Sequence, residues 1–387
     1  MCKIEGCSSE CKNIFCSEKK PKSPISKLFK GKFTVTTEVK VEEELKPQRS
    51  VKSSHLRVPL SAHKNTLLER TERLTSYAEG GGQASNSASH IEIRYTDLFV
   101  TEDNESFDSS QHEYFTLASR RARIYAHQAC QRICPRHLLS PQGTTGRPET
   151  VKLKGIAGIG KSVAVQRLVY EWALGKHMRE FTCVFDLRFR KLNLIKAPLS
   201  LLDLLGYRFR YFKTVLPELL ASPGSLLFIL DGLDEFKYQL DWNAPDRDIS
   251  VDSKVPVSEL IMTLIKGSLL PESSVILTSR PSTDAPKRFF QRCCVVLGFE
   301  EDQVKEYTFK FYKDPKVSEK VYNYILDNDN LFVLSFIPLY CYIICTALAE
   351  FFSSQEDGDS RSLELNHLGQ SARFTTATCL QPSSTMR

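Results

Sequence analysis

Between residues 150 and 300, short apolar runs recur at intervals filled by stretches of helical spacing. The runs at 151–153, 182–187, 226–230, 275–278 and 294–297 predict five strands. Strands that are apolar throughout, alternating with helices, form a parallel sheet covered on both faces. Lys152 and Lys154 fit that picture badly, since both fall in a strand that should be buried on either side. Ahead of this block, Leu67, Leu68, Leu74 and Tyr77 share near-helical spacing within 63–79, and Gly80-Gly81-Gly82 follows as a turn. Ile91-Glu92-Ile93-Arg94-Tyr95 then alternates as a strand would, so residues 58–136 predict a small α+β cap with a linker helix. Beyond Glu300 the pattern turns helical through Phe352, a helical domain over 301–352. Residues 1–57 and 353–387 show neither period and are expected to be disordered.

Composition narrows the class. Apolar residues make up 41% and charged residues 25%, ordinary for a globular chain with room for two or three domains. The net charge of +6 is gathered in the first 60 residues, and no basic stripe interleaved with aromatics appears, so no nucleic-acid partner is expected. The N-terminus has no apolar stretch of the secretory kind, and the twelve cysteines therefore read as reduced thiols in the cytoplasm. Cys2, Cys7, Cys11 and Cys16 lack the C-x2-C knuckles of a zinc site; free thiols, zinc ligation and S-acylation beside the lysine run stay open in that order. Residues 331–349 are 19 positions without a charge, about the length of a membrane span. Pro338 interrupts them, which favours two buried helices hinged there over stable membrane insertion.

The chemistry is concentrated in three motifs. Gly155-Ile156-Ala157-Gly158-Ile159-Gly160-Lys161-Ser162 matches G-x-x-x-x-G-K-[ST], between a predicted strand and a predicted helix over 162–174. In such a loop the glycines turn backbone N–H groups onto phosphates, the lysine reaches the β and γ phosphates, and the serine hydroxyl meets Mg²⁺. The predicted fold class is therefore α/β: a P-loop NTPase parallel sheet with helices on both faces, after the small cap and before the helical domain. Second, the apolar run 226–230 ends in Asp231, placed to hold Mg²⁺, with Asp234 or Glu235 just beyond it to polarise an attacking water. Third, Val275-Ile276-Leu277-Thr278-Ser279-Arg280-Pro281 delivers Arg280 at a strand tip, either as a γ-phosphate sensor or as a surface arginine paired to a carboxylate.

Together these elements resemble the NACHT domain of NOD-like receptors, a signalling branch of P-loop ATPases. The resemblance rests on GIAGIGKS, FILDGLDEF and LTSRP, and extends to VQRLVYEWALGK, FRKLNLIK, SELIMTLIKGSLLP and GFEEDQVKEY. Residues 58 to about 110 look like the fish-specific NACHT-associated (FISNA) domain that precedes it in many such receptors. The resemblance implies ATP/ADP with Mg²⁺ as ligands and weak ATPase activity at most. It further implies self-association, or association with other NACHT proteins, in innate-immune, inflammasome-like signalling; an interaction fragment that binds nucleotide without switching, and a turnover P-loop ATPase or kinase, stay open as alternatives. It carries Gly160, Lys161 and Ser162 over as phosphate and Mg²⁺ ligands and Asp231 as the Mg²⁺ carboxylate. Asp234 or Glu235 becomes the water-orienting acid, Arg280 the sensor, and Pro338 the proline beside the nucleotide base. No death-fold domain, winged helix or L-x-x-L-x-L repeat is evident, so the chain is expected to be a truncated form of a longer receptor.

Overall fold

The computed structural model describes residues 54–74, 89–103, 132–141 and 146–356, apart from positions 246, 284 and 313. The expectations for residues 1–53, for the tail from 357, for the four N-terminal cysteines and for the Gly80–Gly82 turn lie outside the described residues.

The apolar runs form strands where the pattern places them. In chain order, the strands of the main sheet are β1 (Phe99–Glu102), β2 (Arg132–Ile133), β3 (Thr150–Lys154), β4 (Cys183–Arg188), β5 (Leu226–Asp231), β6 (Ser274–Ser279) and β7 (Arg292–Gly298). They lie in the order β2-β1-β7-β3-β6-β5-β4. The five strands from β7 to β4 run parallel, whereas β1 is antiparallel to both β7 and β2. Side chains alternate between two cores: Leu227 and Ile229 of β5 enter one, and Leu226, Phe228 and Leu230 the other. Both cores are closed by helices, which is why these strands read as unbroken apolar runs.

This strand order positions the site. β3, which leads into the glycine-rich loop, and β5, which ends in Asp231, are separated by β6. The carboxyl ends of all three open on the same edge of the sheet, where ligands of open α/β sheets bind.

Two findings go beyond the sequence pattern. β1, expected in a separate cap, instead extends the main sheet by pairing with β7. The lysines of β3 are also resolved. Lys152 donates from Nζ to the Ala285 carbonyl at 2.6 Å, and Lys154 pairs with the buried Asp103 carboxylate at 2.6 Å, which Lys287 approaches at 3.0 Å. A buried charge is tolerable only with such a partner.

The helices used below are α1 (Ser54–Thr71), α2 (Lys161–Ala173), α3 (Leu201–Arg208), α4 (Val257–Ile265), α5 (Glu301–Tyr312), α6 (Pro315–Leu326), α7 (Asp329–Ser335) and α8 (Pro338–Glu356). α1 begins at Ser54, ahead of the expected boundary at 58. It is anchored by Leu67 and by a buried His63, whose ring bonds the Tyr211 hydroxyl (2.6 Å) and the Val184 carbonyl (2.8 Å). The strand expected at 91–95 is instead a helical turn, Ile91–Arg94. Ile91 is buried while Ile93 is 56% exposed. The two isoleucines therefore share no face, and the apparent alternation reflected one anchored side chain beside one in solvent. Residues 331–349 divide between α7 and α8 at Pro338, which takes the first position of α8. Among the described residues no helix is long and apolar enough to cross a membrane.

Candidate functional site

The glycine-rich loop joins β3 to α2, and its shape follows from two glycines. Gly158 (φ 72°) and Gly160 (φ 99°) occupy the left-handed region that other residues avoid. Each is also crowded. A Cβ on Gly158 would lie 2.9 Å from the Leu339 side chain, and one on Gly160 would lie 2.9 Å from that of Leu98. Lys161 Nζ turns back to donate to the carbonyls of Gly155 (2.6 Å) and Ile156 (3.0 Å), so the loop curls around an ammonium group. Gly155 N–H reaches the Ser279 carbonyl of β6 at 3.2 Å. Ile159 is buried in the core and holds the loop down, whereas Ala157 is exposed at its crest. The first turn of α2 begins at Lys161, aiming unpaired N–H groups and the positive end of the helix dipole at the same space.

Opposite the loop stands Asp231. The Ser162 hydroxyl donates to Asp231 Oδ1 at 3.1 Å, and the Thr278 hydroxyl donates to the same oxygen at 2.7 Å. Thr278 Oγ1 in turn accepts the Gly232 N–H at 2.8 Å, fixing the backbone turn that follows β5. Burial pushes the Asp231 carboxyl above its ordinary pKa, against the opposing pull of the Thr278 and Ser162 hydroxyls and the Arg188 charge. A buried carboxylate held in this way, with a serine hydroxyl beside it, fits Mg²⁺. Among the described residues no group of three or more His, Cys, Asp and Glu could hold a metal without help. The donor set present suits a cation that brings waters and phosphate oxygens with it, as Mg²⁺ does.

The remaining candidates lie one step outward. Asp234 accepts an ion pair from Arg280 Nε at 2.8 Å, and Glu235 takes a two-pronged contact from Arg190, both arms at 3.1 Å. An open groove of about 820 Å³ runs past them, lined by Asp234, Glu235, Tyr238, Trp242, Arg280 and Thr283. No residue of the glycine-rich loop lines it. Ser162, Asp231 and Thr278 therefore sit beside this groove, not within it. Pro338 opens α8 directly above the loop, and the next residue, Leu339, donates its N–H to the Gly158 carbonyl at 3.3 Å.

The structure thus brings together Ser162 and Asp231 as one cluster, with the Lys161 ammonium turned into the neighbouring loop, and Arg280 with Asp234 as a second. Glu235 is drawn aside by Arg190. Sequence reasoning missed Thr278 as the group that orients Asp231, although a hydroxyl within an apolar strand beside the site was a usable signal. Leu98 and Leu339, which close on the two glycines, carried no local signal at all.

Residues 149–315 match the NACHT domain family. The human NACHT, LRR and PYD domains-containing protein 12 is 32% identical over 293 residues, covering 74% of this chain and 27% of that protein. The mouse NACHT, LRR and PYD domains-containing protein 3 is 29% identical over 292 residues, covering 74% and 27%. The NACHT, LRR and PYD domains-containing protein 1 homolog of Danio rerio is 28% identical over 294 residues, covering 73% and 21%. The chain thus spans about a quarter of the length of these curated relatives. Among solved structures, a RuvB mutant of Thermotoga maritima aligns with a TM-score of 0.32 and 9% identity over 66% of this chain and 65% of that one. Residues 149–315 thus carry a match to the NACHT domain, and over about three quarters of its length the chain is similar to NACHT, LRR and PYD domains-containing proteins.

Proposed function

We propose that this chain binds ATP/ADP with Mg²⁺ at residues 155–162 and acts in the cytoplasm as a signalling switch of the NOD-like receptor type in innate immunity. Its hydrolysis is slow, and its output is nucleotide-dependent association with its own copies or with other NACHT proteins, in the manner of an inflammasome. Residues 58–136 are read as the FISNA-like segment, 150–300 as the nucleotide domain and 301–352 as the helical domain that responds to it. The observation that carries the reading is the Ser162–Asp231–Thr278 hydrogen-bonded set facing a loop curled around Lys161.

In this reading Gly155, Ile156, Ala157, Gly158, Ile159 and Gly160 present backbone N–H groups to phosphate oxygens, and the Lys161 ammonium reaches the β and γ phosphates. Bound Mg²⁺ supplies charge neutralisation between phosphate oxygens, and Ser162 with Asp231 would hold it. Arg280 provides the switching element. It is engaged with Asp234 at 2.8 Å while its side chain remains 45% exposed, so a γ-phosphate competes with Asp234 for the same guanidinium. Once released, Asp234 is positioned to orient water, with Glu235 behind it. Pro338 and Leu339 give the loop a direct link to α8, so a change at Gly158 reaches the helical domain through backbone.

A substrate-turnover enzyme is the weaker reading, because Asp234 and Glu235, the acids of the groove next to the site, are already paired to arginines. Light scattering of the purified chain in ADP·Mg²⁺ and in a non-hydrolysable ATP analogue tests the proposal. Larger assemblies with the triphosphate support it. An identical mass distribution in both, together with rapid steady-state hydrolysis of ATP, would replace the switch with an enzyme.

A further inference from the structure

Where β4 ends, at the outer edge of the sheet, four cationic side chains surround a single carboxylate. Asp186 is buried, and Arg70 of α1 reaches its Oδ2 through Nη2 at 2.9 Å. Arg188, two residues further along β4 and on the same face, stands with Nε 3.8 Å from the same oxygen. Lys191, in the helical turn Phe189–Leu192, and Arg208, the last residue of α3, complete the group. Their proximity is felt in their titration. Burial first, then the charges of Arg208, Arg70 and Arg188, hold the Lys191 ammonium below the usual lysine range. Burial and then Arg70 lower Arg208 in the same way. The cluster does not satisfy itself: Arg188 Nε and Arg208 Nη2 are buried without an acceptor, and Asp186 Oδ1 is buried without a donor. An arrangement that served packing alone would gain by losing these charges. Its rim is open, since the side chains of Arg70 and Arg188 are 31% and 42% exposed.

We propose that Arg70, Arg188, Lys191 and Arg208 form an oxyanion site for a multiply phosphorylated ligand, one strand outward from Asp231 and separate from the glycine-rich loop. Guanidinium groups match phosphate oxygens two at a time, and the uncompensated charge, spread over α1, β4, the turn and α3, requires more than one phosphate group. The carboxyl edge of a parallel sheet is where such ligands enter. A ligand held there would clamp α1 to the nucleotide domain through Arg70. The shared chemistry is a cluster of phosphate monoesters, offered either by a soluble polyphosphate or by a phosphorylated lipid headgroup. The proposal does not depend on the nucleotide reading.

The test is calorimetric titration of the full chain with inositol hexakisphosphate, for wild type, Lys161→Ala, Lys191→Gln and Arg208→Gln. Binding should survive Lys161→Ala and fall about tenfold for each cluster charge removed, weakening steeply with added salt. Because each removal relieves repulsion, the two cluster variants should melt no lower than wild type, so a loss of binding cannot be assigned to unfolding. A second arm distinguishes the sources, using phosphatidylcholine vesicles with and without phosphatidylinositol bisphosphate. Sedimentation that is lipid-dependent and weakened by Arg208→Gln points to the headgroup, whereas binding of the free probe alone points to a soluble ligand. The proposal is overturned if wild type binds neither form, if the cluster variants bind equally well, or if Lys161→Ala abolishes the interaction.

Discussion

Replacing Thr278 by valine isolates one hydroxyl that the site depends on. The side chain is fully buried and valine matches its shape, so packing is kept while two hydrogen bonds are lost. One is the 2.7 Å bond to Asp231 Oδ1, a bond to a carboxylate worth about 2 kcal/mol. The other leaves the Gly232 N–H without its 2.8 Å partner, at a cost of roughly 1 kcal/mol or more. Together they predict a loss of about 3 kcal/mol in folding stability, read as a lower urea midpoint at unchanged slope. The functional consequence is separate. With only the 3.1 Å bond from Ser162 left to orient it, Asp231 should lose about tenfold in Mg²⁺-dependent ATP affinity, with little change in affinity measured in chelator. Thr278→Ser should restore most of both. A midpoint within about 0.5 kcal/mol of wild type, or an affinity loss equal with and without Mg²⁺, would refute the assignment of Thr278 as the group that fixes the carboxylate.

Three further outcomes follow from the geometry. Asp231→Asn should raise the melting temperature of the nucleotide-free protein: burial holds the folded carboxyl above its unfolded pKa, so stability falls as pH rises through that window, and the amide removes this cost. The same variant should gain no stability from Mg²⁺·ATP, and a melt lower than wild type in the absence of nucleotide would contradict the argument. His63, held near pKa 4 by burial, favours its neutral form in the folded state, so acidification from 6.5 towards 4 should destabilise the protein by about 3 kcal/mol; His63→Gln should flatten that slope in urea melts across the range, and an unchanged slope would show that other groups carry it. Asp234→Asn combined with Glu235→Gln should leave ATP binding within about threefold of wild type, since both acids sit in partly exposed ion pairs, while single-turnover hydrolysis disappears; loss of binding as well would make the acids structural.

How much of this was legible in the sequence depended on how local the cause was. The five parallel strands were legible because a strand buried on both faces must be apolar along its length, and Leu226–Asp231 shows it residue by residue. The sharp turn of the glycine-rich loop was legible because Gly158 and Gly160 answer a local geometric demand through their positive φ. Ile91–Arg94 was misread because four residues cannot distinguish alternation from a helical turn that buries one side. Lys152 and Lys154 looked misplaced because their partners, the Ala285 carbonyl and Asp103, lie 133 and 51 positions away along the chain. β1 was assigned to the cap for the same reason, since its pairing with β7 joins Val100 to Val296. At the candidate site, the contact of Ser162 with Asp231 joins two motifs visible in the sequence, whereas the engagement of Arg280 by Asp234 and of Glu235 by Arg190 depends on where three strand tips end in space.

The claim on which the rest stands is that residues 155–162 bind the triphosphate. Titrating a fluorescent ATP analogue into wild type and Lys161→Ala in the presence of Mg²⁺ tests it most directly. Lys161 is the only cation of the loop, and its ammonium also ties the carbonyls of Gly155 and Ile156, so its removal costs both charge and loop shape. Saturable binding by wild type, weakened at least about a hundredfold in the variant, is the expected result. Equal affinities for the two proteins would contradict the account and place the nucleotide elsewhere.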